Sequence, residues 1–247
     1  MNIIEIRQPE EIYEAHGRIK NGTFTGRWHF SFGENYDPEN IHFGTLRVFN
    51  DDILSPGAIW PLHHHTKNEV VTYCAEGEFK HADENGEGGI LKKGWVQHTT
   101  IGTGMDHSEI NNNPDKPMRF IQMWFYPEKL GLTPSVEQMK VEKSERTNIL
   151  LPIVSKSHDN ALPIRSDAIV CSSFLETNKT LSYQIQKEWG VYLYILEGGP
   201  ILLNDIKMTE LSSAKIKVED EILIKAESDT EILLVETYLK ASYIIKY

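Results

Sequence analysis

The chain has 247 residues, of which 25 are Lys or Arg and 36 are Asp or Glu, giving a formal charge of −11 with 40% hydrophobic and 25% charged residues. This is an ordinary globular composition, long enough for one large domain or two modest ones. The acidic balance argues against nucleic acid and anionic membranes as partners, because both present negative charge that it would repel.

Along the chain, the opening "MNIIEIRQPEE" sets acidic residues where a secretory signal needs an apolar stretch. "GTLRVFNDD" at Gly44–Asp52 reads as a strand ending in turn formers. "EVVTYCAEGEFKHADENGEGG" from Glu69 reads as strand, Glu-Gly turn, strand and an Asn/Gly-rich turn. "GWVQHTTIGTGMDHSEINNNPDKP" adds strands broken at Gly102 and Gly104, and "MRFIQMWFYP" at Met118–Pro127 alternates bulky and polar residues up to a proline. The charged, Pro-bearing stretch Pro127–Asn148 reads as a linker, with a helical turn expected at Ser135–Lys143. The strand rhythm then resumes, and "GVYLYILEGGPILLND" at Gly190–Asp205 echoes the run from Glu69 to Asp83.

Short, evenly spaced strands and one echo predict an all-β chain of two similar antiparallel β-barrels in tandem. The expected division is a first unit over 1–135, a linker over 136–150 and a second unit over 151–247. The longest apolar runs, such as "ILLPIV" from Ile149, are too short to span a bilayer. Cys74 and Cys171 belong to no CxxC pair, which sets aside zinc ribbons and thioredoxin-type motifs. Cytoplasm is the expected compartment.

The histidines are unevenly spread. Nine of the ten lie at or before His107, and only His158 lies beyond it. "PLHHHTKNE" holds His63 and His65 two residues apart, so on a strand both face one side while His64 faces the other. Glu69 shares their parity. His107 and Glu109 in "MDHSE" repeat the two-residue spacing. Two such pairs on facing strands would give three nitrogens and one carboxylate, with Glu69 and Glu109 both open as the oxygen donor. A set of this kind suits iron(II), and also nickel, copper, manganese or zinc. One metal per chain is expected, in the first unit, because the matching stretch "QKEWGVYLY" offers Glu188 and no histidine. His98, on the strand before the second pair, could line a pocket or be a satisfied surface or core histidine. His81 reads as a turn or strand-face residue first and a pocket residue second, and Trp60 and Phe43 as core aromatics or cavity walls. Gly102 and Gly104 are expected to permit a tight turn before His107.

These residues carry a resemblance. Gly57, then His63-His64-His65, then Glu69 is similar to the first cupin motif, and Gly104, His107 and Asn111 to the second. "SFGENYDPENIHFGTLRVFNDD", "HHHTKNEVVTYCAEG", "GWVQHTTIGTGMDHSE" and "QMWFYPEKLGLTPSVEQ" resemble the pirin family of bicupins in its bacterial branch, over most of Ser31–Gln138. The second half resembles it through "GVYLYILEGG" and "AESDTEILLVE". The resemblance implies a metal held by His63, His65, His107 and Glu109, iron(II) first among the candidates. It leaves Glu69 as a neighbouring structural residue. It departs from the family at His64, where a proline is usual, and at His98 and Trp95. It implies a quercetin 2,3-dioxygenase-like enzyme acting on a small aromatic substrate with O2, Glu109 taking the substrate's hydroxyl proton. The alternatives are a metal-binding, redox-sensing regulator with a protein partner, and a bicupin of other small-molecule chemistry such as isomerisation.

Overall fold

The structure is a computed structural model and describes residues 3–83, 88–217 and 220–243. Among these residues the regular elements are strands and two short 3-10 turns, at Pro9–Glu11 and Lys143–Arg146. No helix in them is long and apolar enough to cross a membrane.

The strands form four antiparallel sheets, two in each half. In the first half a seven-stranded sheet runs in the order Ser135–Met139, Val96–Thr100, Glu69–Glu76, Met118–Phe125, Leu46–Leu54, Gly22–Trp28, Tyr13–Ile19. It faces a four-stranded sheet of Ile59–His65, Met105–Asn111, Glu78–Asp83 and Ile90–Lys92. The second half repeats the plan with six strands, centred on Trp189–Gly198 and Thr230–Tyr238, over four. The expected bicupin is therefore present, with one correction: neither half closes into a hydrogen-bonded ring, and each is a pair of facing sheets.

Burial follows the sequence pattern. Glu69–Glu76 is apolar on both faces and buried throughout except at Glu76, because one face looks into its own half and the other onto the second half. Phe49, Tyr73 and Met123 from the seven-stranded sheet join Tyr192, Tyr194, Leu233 and Val235 from the six-stranded sheet in one core cluster. The two large sheets thus pack back to back. The Glu-Gly echo is also structural: at Gly77 (φ +78°) and at Gly198 (φ +82°) the chain leaves a large sheet and enters its four-stranded partner.

Two segments differ from expectation. Ser135–Met139 is a strand paired with Val96–Thr100, where a helical turn in a linker was expected. Its composition is polar because it is an edge strand with one neighbour, and tertiary pairing decides such a segment. Ile3–Arg7 pairs with Ser213–Lys217 of the six-stranded sheet, a join between chain ends that no local pattern reveals.

Candidate metal centre

The ribbon of Ile59–His65 and Met105–Asn111 builds the site. His107 lies directly opposite His63 in the antiparallel register, and Met105 opposite His65. The register slips between His107 and Glu109, so that Glu109 faces Trp60. Pro61 sits in the slipped stretch and has no N–H to give to the ladder, which favours a bulge there. On Met105–Asn111 burial alternates residue by residue, placing His107, Glu109 and Asn111 inward. Before this strand, Gly102 has φ +56°, and a Cβ there would come within 2.0 Å of the Leu132 carbonyl oxygen. Only glycine fits that turn.

Three imidazoles meet as a result. Their ligand atoms all lie within 4.8 Å of one another in His63, His65 and His107. The ring centroids are 4.6 Å apart for His63 and His65, 4.7 Å for His63 and His107, and 5.1 Å for His65 and His107.

Each ring is fixed from behind. His63 Nδ1–H donates to the Pro61 carbonyl at 2.8 Å, which leaves the Nε2 lone pair free. His107 Nδ1 lies 3.1 Å from His81 Nε2, while His107 Nε2 is buried without a partner. His65 meets the Trp124 ring edge-on at 4.7 Å between centroids. Burial first, and the neighbouring imidazoles second, push His107 down to about 2 and His65 down to about 4. Rings held neutral in this way are electron-pair donors. An unpartnered, buried ring nitrogen is a costly thing to keep, and a divalent first-row metal is the acceptor this donor set fits.

Glu109 stands beside the triangle, outside its 4.8 Å span. Burial raises its carboxyl, and the electrostatic influence of His63 and the hydrogen bond from the Gln122 amide oppose that rise. Gln122 Nε2 donates to Glu109 Oε1. Trp124 Nε1–H donates to Gln122 Oε1 at 2.8 Å. Because an indole can only donate, the amide oxygen must face Trp124 and the NH2 must face Glu109. Asp52 lies deeper, accepts from Trp28 Nε1–H at 3.1 Å, and is pushed well above the usual carboxylate range by burial, with Glu109 adding to the rise.

Other candidates fall into place. Glu69 is buried, and its Oε2 accepts from His98 Nε2 at 2.8 Å, from the Arg165 backbone N–H at 3.1 Å and from Thr100 Oγ1 at 3.3 Å. It is thus committed to a strand-to-strand clasp that reaches into the second half, and His98 is its buried partner. His64 leaves the opposite face and meets Asp106 Oδ1 at 2.5 Å on the surface. Phe43 is in the inter-sheet core, and Trp60 packs on Phe24 at 4.7 Å. Glu188 pairs with Lys240 at 2.8 Å. His81 faces inward onto His107. Gln122 and Trp124 escaped sequence reasoning. Their only signal was the bulky-polar alternation of Met118–Phe125.

Comparison with known proteins matches this picture. Residues 11–125 match the family profile described as Pirin, and residues 152–237 match one described as Quercetinase C-terminal cupin domain. A pirin-like protein of Caulobacter vibrioides is 34% identical over 226 residues, 91% of this chain and 97% of that one. A quercetin 2,3-dioxygenase of Escherichia coli is 32% identical over 208 residues, 84% of this chain and 89% of that one. The crystal structure of the bacterial pirin YhhW from Escherichia coli in complex with nickel(II) superposes with a TM-score of 0.87 at 29% identity, covering 96% of this chain and 99% of that one.

Proposed function

The chain belongs to the pirin family, and from that footing we propose that it is a metal-dependent dioxygenase that opens the central ring of a flavonol such as quercetin with O2 and releases carbon monoxide. The observation that carries the reading is the triangle of three imidazoles with an oriented carboxylate beside it. His63, His65 and His107 would hold one divalent metal, with Glu109 as fourth ligand. Iron(II) is our first choice, and the nickel(II) in the Escherichia coli relative keeps nickel beside it. Copper, manganese and zinc remain chemically compatible. When bound, the metal supplies Lewis acidity and a template for substrate and O2.

The protein's own groups do the rest. His81 and the Pro61 carbonyl fix the ring planes of His107 and His63, as the outer partners of metal-bound imidazoles commonly do. Glu109 takes the proton of the flavonol hydroxyl, and its raised affinity for protons suits that task. Gln122 and Trp124 hold that carboxylate in one orientation. The first unit carries the chemistry and the second, from residue 151, braces it.

The test is direct. Protein purified without a His tag is stripped and reloaded with each metal under anaerobic conditions, then given quercetin and an O2 pulse. We expect quercetin loss with stoichiometric carbon monoxide for iron or nickel. Metal-loaded protein that leaves quercetin intact would overturn the reading.

A further inference from the structure

The Trp124 ring that meets His65 also lines a cavity of about 430 Å³. Phe32 and Tyr126 form its other aromatic walls, with Arg47 and Lys67 at its polar side. Phe32 meets Trp124 edge-on at 5.4 Å between centroids, so the walls are braced against each other.

The charge of this cavity is opposite to that of the chain. The protein carries a formal −11, yet the lining has two cations and no carboxylate. Arg47 has no acidic partner among the described residues. Its Nη1 donates to the carbonyls of Ser31 at 2.7 Å and Ile41 at 3.1 Å, and the guanidinium also hydrogen-bonds the Tyr126 side chain, which together fix it at the aromatic wall of the cavity. Lys67 is exposed, has no ion pair among the described residues, and sits at φ +65° in a loop tied by its N–H to the Gly102 carbonyl at 3.0 Å. That tie joins the loop after His65 to the turn before His107, so the backbone that carries the cation is held beside the metal-site ribbon.

We propose that this cavity selects planar aromatic substrates bearing a negative charge, the rings lying against Phe32, Trp124 and Tyr126 and the anionic group held by Arg47 and Lys67. The assignment rests on the reading of His63, His65 and His107 as the metal site, and it narrows the substrate class of that site to aromatics that carry an anionic group besides the hydroxyl whose proton Glu109 takes. An Arg fork and a Lys ammonium each form charge-assisted hydrogen bonds with an oxyanion, about twice as strong as neutral ones. A neutral amide of the same shape cannot replace them.

Calorimetric titration of the full chain with 2-naphthoate and with 2-naphthamide tests this, in nickel-loaded and in metal-free protein. We expect naphthoate to bind about tenfold more tightly than naphthamide in both forms. Lys67→Met and Arg47→Met should each weaken naphthoate by about three- to tenfold and leave naphthamide unchanged. Lys67→Met, at an exposed side chain, carries the test if Arg47→Met does not fold. Equal binding of the two probes, or variants without effect, overturns the proposal. So does naphthoate binding that vanishes with the metal, which would place the carboxylate on the ion. Quercetin turnover is scored separately, so loss of the dioxygenase reading and loss of charge selection are distinct results.

Discussion

One rung across each large sheet shows how differently the two halves are filled. In the first half Asn50, Gln122, Thr72 and Gln97 stand side by side on neighbouring strands, and all four are buried. In the second half Cys171, Leu234, Leu193 and Ala214 form the corresponding kind of rung, inside a cluster completed by Ile195, Ile222 and Ile224. The scaffold is shared, and this rung is polar only in the half that holds nine of the ten histidines. Each buried polar group left unsatisfied costs about 1–3 kcal/mol, so the first half gives up stability to keep oriented donors and acceptors near His107 and Glu109. The second half, apolar along this rung, supplies the sheet against which Phe49, Tyr73 and Met123 pack. Local rules broken in one half and kept in the other mark where function sits.

The comparison is broken hardest by single truncations on either side. His63→Ala, His65→Ala or His107→Ala should take metal content after dialysis from near one per chain to near zero, with the melting temperature of the metal-free form little changed. Leu193→Ala should do the reverse. It opens a hole among Ile195, Leu234 and Ala214, costs about 2–5 kcal/mol in denaturant unfolding, and leaves the metal content as it was. Metal loss from Leu193→Ala would mean that the halves do not divide the work.

Two buried glutamates sharpen it next. Glu109→Gln should weaken metal binding and abolish quercetin turnover, because a neutral amide neither balances the metal's charge nor takes a proton. Glu69→Gln should keep metal and turnover. It costs stability instead, about 1–3 kcal/mol for a disturbed buried acceptor, because Glu69 clasps His98, Thr100 and the Arg165 N–H. If Glu69→Gln emptied the site and Glu109→Gln left it filled, the ligand set would be wrong.

How much of this was legible in the sequence depends on the range of the interaction. His63 with His65, and His107 with Glu109, are readable because a strand repeats every two residues, and that alone sets which side chains converge. The choice between Glu69 and Glu109 was not readable from spacing, since both share the right parity, and the family resemblance had to favour one. The ring behind His107 depends on register. His81 reaches it only because Glu78–Asp83 pairs with Met105–Asn111 so that His81 lies opposite Glu109. Gln122 and Trp124 looked like ordinary alternation, and nothing local says that an amide 13 residues after Glu109 will face it. The misread strand at Ser135–Met139 shows the same limit, since its partner Val96–Thr100 lies far back in the chain.

Gln122 gives a smaller effect. Gln122→Leu keeps the volume and removes the link between Trp124 and Glu109. Metal affinity should fall about 10- to 100-fold, the usual result of losing a partner behind a ligand. Stability should change by less than for Leu193→Ala. An unchanged affinity, measured by competition with a chelator, would show that Glu109 needs no help to hold its position.

The two thiols compare the halves without mutation. Cys74 lies in the first interior and Cys171 in the second, both buried and free. Burial pushes the Cys74 thiol up to about 12 and raises Cys171 as well. The thiolate is the reactive form, so at pH 8 only about one Cys74 in 10⁴ is ionised. Neither should react with a disulfide reagent in the native protein, and both should in denaturant. Because the folded value is raised, this burial favours the fold fully below the unfolded thiol pKa, and the benefit fades as the pH rises from there towards 12. Rapid native labelling of Cys74 alone would show that the polar half opens locally.

The smallest effect belongs to His64, the middle residue of the three. Its ring leaves the far face of the strand that carries His63 and His65 and pairs with Asp106 on the surface, with side chains 61% and 43% exposed. Pairs this open contribute about 0–1 kcal/mol. His64→Ala should therefore leave metal content at wild-type level and barely move the denaturation midpoint, and adding salt to the wild type should mimic what little change there is. The backbone does not depend on this ring, because the ladder at His64 and Asp106 is made by main-chain groups. A loss of metal from His64→Ala would mean that the strand is rotated about its axis from the orientation described, with His64 turned inward in place of its two neighbours.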